Sequence, residues 1–275
     1  MKKRKKILIV GGTGFLGYHS AKKFLDKKFD VISLSRNKPK PLRRLNKIKY
    51  LKVDISKKKK LFNILNKVSN IDYIINFGGE VEHKKKKKTF SSHFSGVKNL
   101  VLYFKKKNPR KFIQIGSSLE YGSNKSPQKE FYKLRPNSSY SRAKAFASSY
   151  LLNNFKKKFF PFVIVRPYQV FGTHQDLNRF IPIVITNCLK NKKFDCSDGK
   201  QLRDFLYIDD FTKFILEIIK SDKFTGEIFN VGSGKPRKIK NIVNLIHSKI
   251  RKGSPQFGKI GLRKDENMIT YPSIK

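Results

Sequence analysis

The sequence predicts an α/β fold built on a doubly wound parallel sheet, with a smaller C-terminal lobe. Two observations predict it. Short runs rich in Val, Ile and Phe alternate with helix-like segments from residue 7 onward, and a glycine cluster joins the first run to the first helix. Strands of continuous apolar character separated by helices are typical of parallel sheets that are covered on both faces.

The alternation can be followed along the first 167 residues. Strand-like runs are expected at residues 7–10, 30–35, 48–54, 72–77, 111–118 and 161–167. Helices are expected at residues 15–27, 59–68, 96–107 and 140–155. Beyond Pro167 the alternation loosens, although residues 208–220 have the pattern of one more helix that returns to the main domain. We therefore expect a main domain of residues 1–166 with about 208–221, and a smaller lobe of residues 167–207 and 222–275.

The composition is strongly basic, with 63 Lys and Arg against 19 Asp and Glu and a formal net charge of +44. The lysines occur in short runs along the whole chain, a pattern that is typical of a solvated basic surface. Such a surface attracts anionic small molecules at low ionic strength. We therefore expect no specific nucleic-acid partner. A non-catalytic protein that binds a dinucleotide or a nucleic acid stays open as an alternative of another class.

Two cysteines, Cys188 and Cys196, are too few for a disulfide framework or a cysteine metal site. We expect reduced thiols, no bound metal and a cytoplasmic protein. No apolar run approaches the roughly 18 residues of a membrane span, so no membrane partner is expected. The basic opening MKKRKK is followed by a four-residue apolar run before glycines interrupt it, which argues against a signal peptide.

The glycine cluster GGTGFLG, residues 11–17, matches two spacings of the dinucleotide-binding fingerprint. Gly11, Gly14 and Gly17 fit G-x-x-G-x-x-G, and Gly12, Gly14 and Gly17 fit G-x-G-x-x-G. The first glycines let backbone amides approach a pyrophosphate at the N-terminus of a helix, and the last lets that helix pack on the sheet. The predicted cofactor contacts in this stretch are Gly11, Gly14, Phe15, Leu16 and Gly17.

The end of the second strand selects between dinucleotides. An acidic residue there would bind the ribose hydroxyls of NAD, whereas this chain has Ser35 and Arg36. A guanidinium suits the 2′-phosphate of NADP, so we expect NADP, with NAD as the alternative. Asp54 has two interpretations: it could accept a hydrogen bond from the adenine amino group of the cofactor, or it could cap its own loop. Ile55, the next residue, is also assigned to cofactor binding.

Three side chains have the spacing of an acid/base site. Tyr140 and Lys144 are four residues apart in a predicted helix and so share one face. A nearby ammonium is expected to lower the pKa of the tyrosine toward neutrality, which suits proton transfer at a carbonyl or carbinol. Ser117 ends the fifth strand, at the sheet edge where open α/β folds bind ligands, and its hydroxyl could hold the reacting oxygen.

The chain resembles a known family, the extended short-chain dehydrogenase/reductases that act on nucleotide sugars. The resemblance runs through almost the whole chain, on GGTGFLG, GSSLEYG, YSRAK, RPYQVFG, RDFLYIDD, FNVGSG and RKDEN. It implies a Rossmann domain and a C-terminal lobe that closes over a sugar diphosphonucleotide. It implies Ser117, Tyr140 and Lys144 as the catalytic triad, with Tyr140 and Lys144 also among the cofactor contacts.

The same resemblance assigns further binding residues. Phe77, Gly78 and Gly79 match the fourth strand that lines the cofactor, and the backbone near Pro167 and Val170 matches the nicotinamide end. The residues assigned to the substrate are Ser118, Gln169 at a position where many members have asparagine, and Arg203 and Arg263, which match arginines that clamp the diphosphate as bidentate donors.

Departures from the family pattern bear on the reaction. Members that dehydrate sugars have an Asp-Glu pair where this chain has Ser118 and Leu119, so a dehydratase is disfavoured. The stretch FGGEVEH replaces an alanine-rich one, and His93 stands where asparagine is frequent. The chain stops at YPSIK where relatives usually continue, so a truncated C-terminal lobe is expected.

The sequence thus predicts an enzyme that reduces a 4-keto sugar on a nucleotide by hydride transfer from NADPH, with Tyr140 as the proton donor. The alternative is a nucleotide-sugar 4-epimerase with a retained NAD. The apparent lack of an acidic ribose ligand favours the reductase. The resemblance also implies a homodimer that forms through helices such as 92–107 and 138–157.

Overall fold

The structure, a computed structural model, describes residues 4–80, 86–158, 160–262 and 266–274, with the backbone alone for Lys86 and residues 155–158. Its strands are β1 (Lys6–Val10), β2 (Asp30–Ser35), β3 (Lys49–Lys52), β4 (Tyr73–Asn76), β5 (Lys111–Ile115), β6 (Phe162–Pro167), β7 (Gln169–Phe171), β8 (Lys193–Asp195), β9 (Leu202–Arg203), β10 (Phe205–Tyr207), β11 (Ile228–Val231), β12 (Arg237–Lys238), β13 (Ser254–Gln256) and β14 (Ile269–Thr270).

Helices follow most strands of the main domain. They are α1 (Phe15–Asp26), α2 (Lys58–Leu65), α3 (Lys86–Phe90), α4 (Gly96–Phe104), α5 (Ser139–Lys158), α6 (Phe180–Leu189), α7 (Ile208–Lys220) and α8 (Ile239–Ile250). A π-helical turn, Ser91–Ser95, joins α3 to α4. Short 3₁₀ turns occur at Pro41–Arg43, Ser118–Tyr121 and Asp222–Phe224. Among the described residues, no helix is long and apolar enough to cross a membrane.

Seven parallel strands form the central sheet in the order β11-β6-β5-β4-β1-β2-β3. The chain starts in the middle of this sheet and winds outward in both directions, so helices cover both faces. The predicted fold class is therefore confirmed. Smaller pairings, β7 with β10, β8 with β13, and β9 with β12 and β14, form the remaining sheets.

The sequence of β1 explains how two cores form. Leu8 and Val10 point to one face and pack with residues of α2, α4 and α5, whereas Ile7 and Ile9 point to the other and pack with residues of α1 and α7. All four side chains are at most 1% exposed. A strand that is apolar at every position is what a sheet buried on both faces requires.

One strand comes from a range that the sequence assigned to the lobe. β11 lies within residues 222–275, yet it pairs in parallel with β6 and completes the central sheet. The rest of the predicted division into a main domain and a lobe stays a prediction. The parallel strands direct the ends of β1, β2, β4, β5 and β6 to one edge, where the predicted site residues gather.

Candidate active site

The glycine cluster forms a tight turn between β1 and α1. Gly11 has a φ of +79°, which favours glycine, and its carbonyl accepts a hydrogen bond from the Gly14 N–H at 3.0 Å. A Cβ at Gly17 would lie 2.3 Å from the Gly11 oxygen, so only glycine lets the helix approach the turn this closely. Gly14 is the N-cap of α1 and offers no side chain to its first amides, and Phe15 and Leu16 open the helix.

This turn fits a pyrophosphate. The first amides of a helix have no partner within the helix, and the first turn of α1 contains no acidic residue to satisfy them. Uncapped N–H groups at a helix N-terminus favour an anion through both hydrogen bonding and the helix dipole. The donor set therefore suits the dinucleotide predicted for this position.

The end of β2 brings Ser35 and Arg36 beside the glycine turn. The Ser35 hydroxyl accepts a hydrogen bond from the Thr13 N–H at 3.3 Å. Arg36 forms an ion pair with Glu80 at 3.0 Å, and Lys88 approaches the same carboxylate at 3.1 Å. No sequence pattern indicates that Glu80 pairs with Arg36, although Glu80 stands in the stretch FGGEVEH that departs from the family pattern.

Two cavities flank Arg36. One, of about 610 Å³, is lined by Arg36 and Asp54 together with Lys52, Val53, Lys57, Lys60, Asn63 and Ile64. The other, of about 330 Å³, is lined by Thr13, Ser35, Asn37, Lys38, Pro39, Arg44, Tyr50, Leu51 and Lys52. Asp54 caps its own loop by accepting a hydrogen bond from the Ser56 N–H at 2.9 Å, while it still lines the first cavity. Ile55 is buried.

The segment after β4 passes close to α5, which contains Tyr140 and Lys144. Phe77 packs edge-on against Phe211 of α7, and the Gly78 N–H donates to Asn76 Oδ1 at 2.9 Å. A Cβ at Gly79 would lie 1.8 Å from the ring of His93, so this position accepts only glycine while His93 keeps its place. His93 lies in the π-helical turn, and its ring meets Tyr140 edge-on at a centroid distance of 4.9 Å.

Ser117, Tyr140 and Lys144 come together as predicted by their spacing. Ser117 follows β5 and its side chain is hydrogen-bonded to Tyr140 on α5. The Lys144 ammonium lies 5.9 Å from the centre of the Tyr140 ring and donates to the Ile115 carbonyl at 2.7 Å. Lys144 and Ser117 are buried, and Tyr140 is half-buried.

The ionisation of Tyr140 differs from the sequence expectation. Burial raises the pKa of Tyr140 to about 12, and it lowers the pKa of Lys144 to about 8. The expected lowering of the tyrosine pKa by the ammonium was wrong, because desolvation of the phenolate outweighs the other influences on it. At neutral pH, Tyr140 is therefore a protonated phenol, ready to donate.

The residues after Ser117 provide no acid/base pair for elimination. Ser118 is buried and Leu119 is partly exposed, and neither is a titratable group. The next residue, Glu120, is fully buried and is held in an ion pair with Arg166 at 3.0 Å. Its carboxylate thus points into the protein, behind Ser117.

The remaining predicted residues lie at the edges of the site. Pro167 ends β6, Val170 lies in β7, and Gln169 is exposed at the start of β7. Arg203 on β9 forms an ion pair with Glu266 and donates to the Leu202 carbonyl. β7 pairs in parallel with β10, and Gln169 lies opposite Phe205, two residues after Arg203. Arg263 lies outside the described residues.

The family assignment follows from this geometry and from a sequence comparison. A family model described as the NAD dependent epimerase/dehydratase family matches residues 7–232. The chain belongs to this family. The match spans the glycine turn, the Ser117 loop and α5, so the resemblance to extended short-chain dehydrogenase/reductases is confirmed.

Relatives within this family carry several activities. The chain is 30% identical over 256 residues to a dTDP-D-glucose 4,6-dehydratase of Dictyostelium discoideum, with 83% of this chain and 58% of that protein covered. The chain thus spans less than two thirds of that relative. It is 25% identical over 275 residues to a CDP-abequose synthase of Salmonella muenchen, with 97% and 88% covered.

A solved structure has the same fold. The UDP-N-acetylglucosamine 4-epimerase of Methanobrevibacter ruminantium M1, in complex with UDP-N-acetylmuramic acid, superposes with a TM-score of 0.90 at 24% identity. The match covers 99% of this chain and 90% of that one. The comparisons therefore place the chain in the NAD dependent epimerase/dehydratase family, whose members named here have different activities.

Proposed function

We propose that the protein reduces the 4-keto group of a nucleotide-linked sugar, with NADPH as the hydride donor and Tyr140 as the proton donor. The residues at the end of β2 carry this proposal, because Ser35 and Arg36 stand where an acidic residue would bind the ribose hydroxyls of NAD, and net reduction usually draws on NADPH. A pKa of about 12 keeps the Tyr140 phenol protonated at neutral pH, which suits proton donation to a ketone oxygen.

The protein's own residues divide the work. The Ser117 hydroxyl holds the carbonyl oxygen, and Tyr140 donates its proton to that oxygen as negative charge develops on it. The Lys144 ammonium lies beside the phenol and stabilises the phenolate that proton donation leaves behind. When bound, the nicotinamide supplies the hydride for the carbonyl carbon. Lys144 would bond the nicotinamide ribose, with Tyr140 beside it. The backbone near Pro167 and Val170 would hold the nicotinamide end, and Phe77, Gly78 and Gly79 would line the cofactor.

The preference for NADP rests on the charges around the end of β2. Ser35 replaces the carboxylate that would bind ribose hydroxyls, and Arg36 follows it. Although Glu80 pairs with Arg36, Lys38 and Arg44 line the neighbouring cavity of about 330 Å³ and add positive charge there. Cations in a partly enclosed site of this kind favour a 2′-phosphate.

The substrate would lie against the C-terminal lobe. Arg203 and Arg263 are proposed to bind the diphosphate of the nucleotide sugar, and Ser118 and Gln169 the sugar. Substrate binding by Arg203 would require the diphosphate to compete with or to join Glu266, its present partner. We place the proposed enzyme in the cytoplasm, where thiols such as those of Cys188 and Cys196 are kept reduced.

The 4-epimerase with a retained NAD is the second candidate, because the same Ser117, Tyr140 and Lys144 would serve it. The structural similarity to a UDP-N-acetylglucosamine 4-epimerase favours it. A dehydratase is not proposed, since Ser118 and Leu119 occupy the positions where elimination needs an acid and a base.

The test is NADPH oxidation with 4-keto sugar nucleotides, comparing the unaltered protein with Tyr140→Phe. We expect Tyr140→Phe to lose at least about 100-fold in kcat, the range of a general acid, while NADPH binding is kept. Turnover of 4-hydroxy sugars without net NADPH oxidation would favour the epimerase. Absence of turnover, together with tight RNA binding at physiological salt, would support the non-catalytic alternative.

A further inference from the structure

A buried carboxylate lies directly behind the predicted catalytic side chains. Glu120 is fully buried in the 3₁₀ turn that follows Ser117. Its Oε1 accepts a hydrogen bond from the Ser117 backbone N–H at 2.9 Å. Its Oε2 accepts one from the Ser148 hydroxyl at 2.7 Å and one from Arg166 Nε at 3.0 Å. One carboxylate thus connects the loop after β5 with α5 and β6.

The contact with Ser148 acts on the catalytic helix. Ser148 follows Lys144 by four residues and Tyr140 by eight, so the three side chains lie on one side of α5. The Ser117 and Tyr140 side chains are hydrogen-bonded, and their relative position depends on how α5 docks against the Ser117 loop. Glu120 spans these two elements directly.

The surroundings of Glu120 are built to hold it. Arg166 is 1% exposed, and its Nη1 donates to the Tyr121 hydroxyl at 2.8 Å, which fixes the guanidinium. A Cβ at Gly116 would lie 2.4 Å from Glu120 Oε1, so the glycine leaves room for the carboxylate. A buried ion pair often stabilises a fold no more than apolar residues of the same volume would. The Glu120–Arg166 pair is therefore better explained by a role in positioning neighbouring groups than by a gain in stability.

We propose that Glu120 is a positioning residue, which holds the Ser117 and Tyr140 hydroxyls on the same substrate oxygen by bonding the Ser117 N–H and the Ser148 hydroxyl at once. The inference rests on the proposed function for the identity of the reaction. Because Glu120 is fully buried behind Ser117, its loss should lower kcat and leave the KM of the sugar nucleotide little changed.

The charge of Glu120 provides a second readout. Its carboxylate raises the pKa of both Tyr140 and Lys144. Arg166 is the other charged group that bonds Glu120, and it stays in place when Glu120 is replaced by glutamine. A neutral side chain at position 120 should therefore move the titration of Lys144 to lower pH, whereas removal of the Ser148 hydroxyl should not.

The experiment compares E120Q and S148A with the control E130Q. Glu130 belongs to the same polar network, where its carboxylate accepts a hydrogen bond from the Asn230 N–H at 2.9 Å, and its backbone carbonyl faces Arg166. We expect kcat to fall about tenfold in E120Q and about threefold in S148A, since small misplacements of catalytic groups are costly. E130Q should match the unaltered protein. The high-pH limb of the kcat/KM profile should move to lower pH in E120Q alone.

An unchanged kcat in folded E120Q, or an equal loss in E130Q, would overturn the inference. If E120Q does not fold, the kcat of S148A is the test, because alanine is well tolerated in a helix and this variant should fold. An unchanged kcat in S148A would also overturn the inference. If the unaltered protein reduces no 4-keto sugar, the proposed function fails, and amide hydrogen exchange takes over as the readout. The Ser117 amide, which Glu120 bonds, should then exchange faster in E120Q than in E130Q, and equal rates would overturn the inference.

Discussion

Burial acts in opposite directions on the two titratable groups of the site. It raises the pKa of Tyr140 to about 12 and lowers the pKa of Lys144 to about 8. The neutral form is favoured in both cases, because a partly dry site destabilises the phenolate and the ammonium alike. Within the physiological range, Lys144 is therefore the group whose charge changes.

The pH dependence of the reaction should follow Lys144. Its ammonium is present below pH 8 and is lost as the pH rises through about 8, so kcat/KM for ketone reduction should fall across that range. Lys144→Arg keeps its charge and should lack this limb. The measurement is kcat/KM between pH 6 and 10, and a flat profile for the unaltered protein would contradict the assignment.

At the residue scale, the sequence could predict which groups meet but not their surroundings. Tyr140 and Lys144 were identifiable because four residues make one helical turn, and Ser117 because it ends a strand. The Glu120–Arg166 pair joins residues 46 positions apart, and no local pattern indicates such a contact. The predicted pKa of Tyr140 was wrong because the extent of burial depends on the packed structure.

Elements of the main domain follow from apolar patterning. The predicted strand at residues 30–35 and helix at residues 208–220 have the bounds that the structure gives to β2 and α7. The residues of β11 were assigned to the lobe because a segment of four residues is too short to show a clear apolar periodicity. Its place beside β6 is set by the register between distant segments.

An aromatic cluster at the end of α3, on the π-helical turn and on α5 supports the predicted homodimer. Phe90 and Phe146 are 40% and 53% exposed, and their rings meet each other and Phe94 at 5.2–5.9 Å. Phe94 also meets Tyr150. Exposed aromatic clusters of this kind are common at protein interfaces. Phe94, Phe146 and Tyr150 belong to the helices predicted to form the dimer, residues 92–107 and 138–157, and Phe90 lies just before the first of them.

Phe146→Glu should therefore dissociate the dimer. A carboxylate at the centre of an apolar interface should raise the dimer dissociation constant by at least about 100-fold, which is about 2.7 kcal/mol. Analytical ultracentrifugation measures it, with Lys213→Glu on the exposed face of α7, on the opposite side of the central sheet, as a charge control. A monomeric unaltered protein, or an unchanged constant in Phe146→Glu, would contradict the proposed interface.

For the whole molecule, the net charge of +44 sets the conditions of any binding experiment. A basic protein attracts NADPH more than NADH through charge alone, and ionic strength screens that long-range attraction. A preference that persists at physiological salt must come from contacts near the 2′-phosphate. Cofactor choice is therefore the property that links the β2 edge to the proposed reduction.

The most direct measurement is a titration of NADPH and NADH at physiological salt, followed by nicotinamide fluorescence, with the unaltered protein and Arg36→Ala. We expect NADPH to bind at least about tenfold more tightly, a difference of about 1.4 kcal/mol, and Arg36→Ala to remove most of that preference. Equal or tighter binding of NADH would contradict the proposed NADPH-dependent reduction and favour a 4-epimerase with a retained NAD.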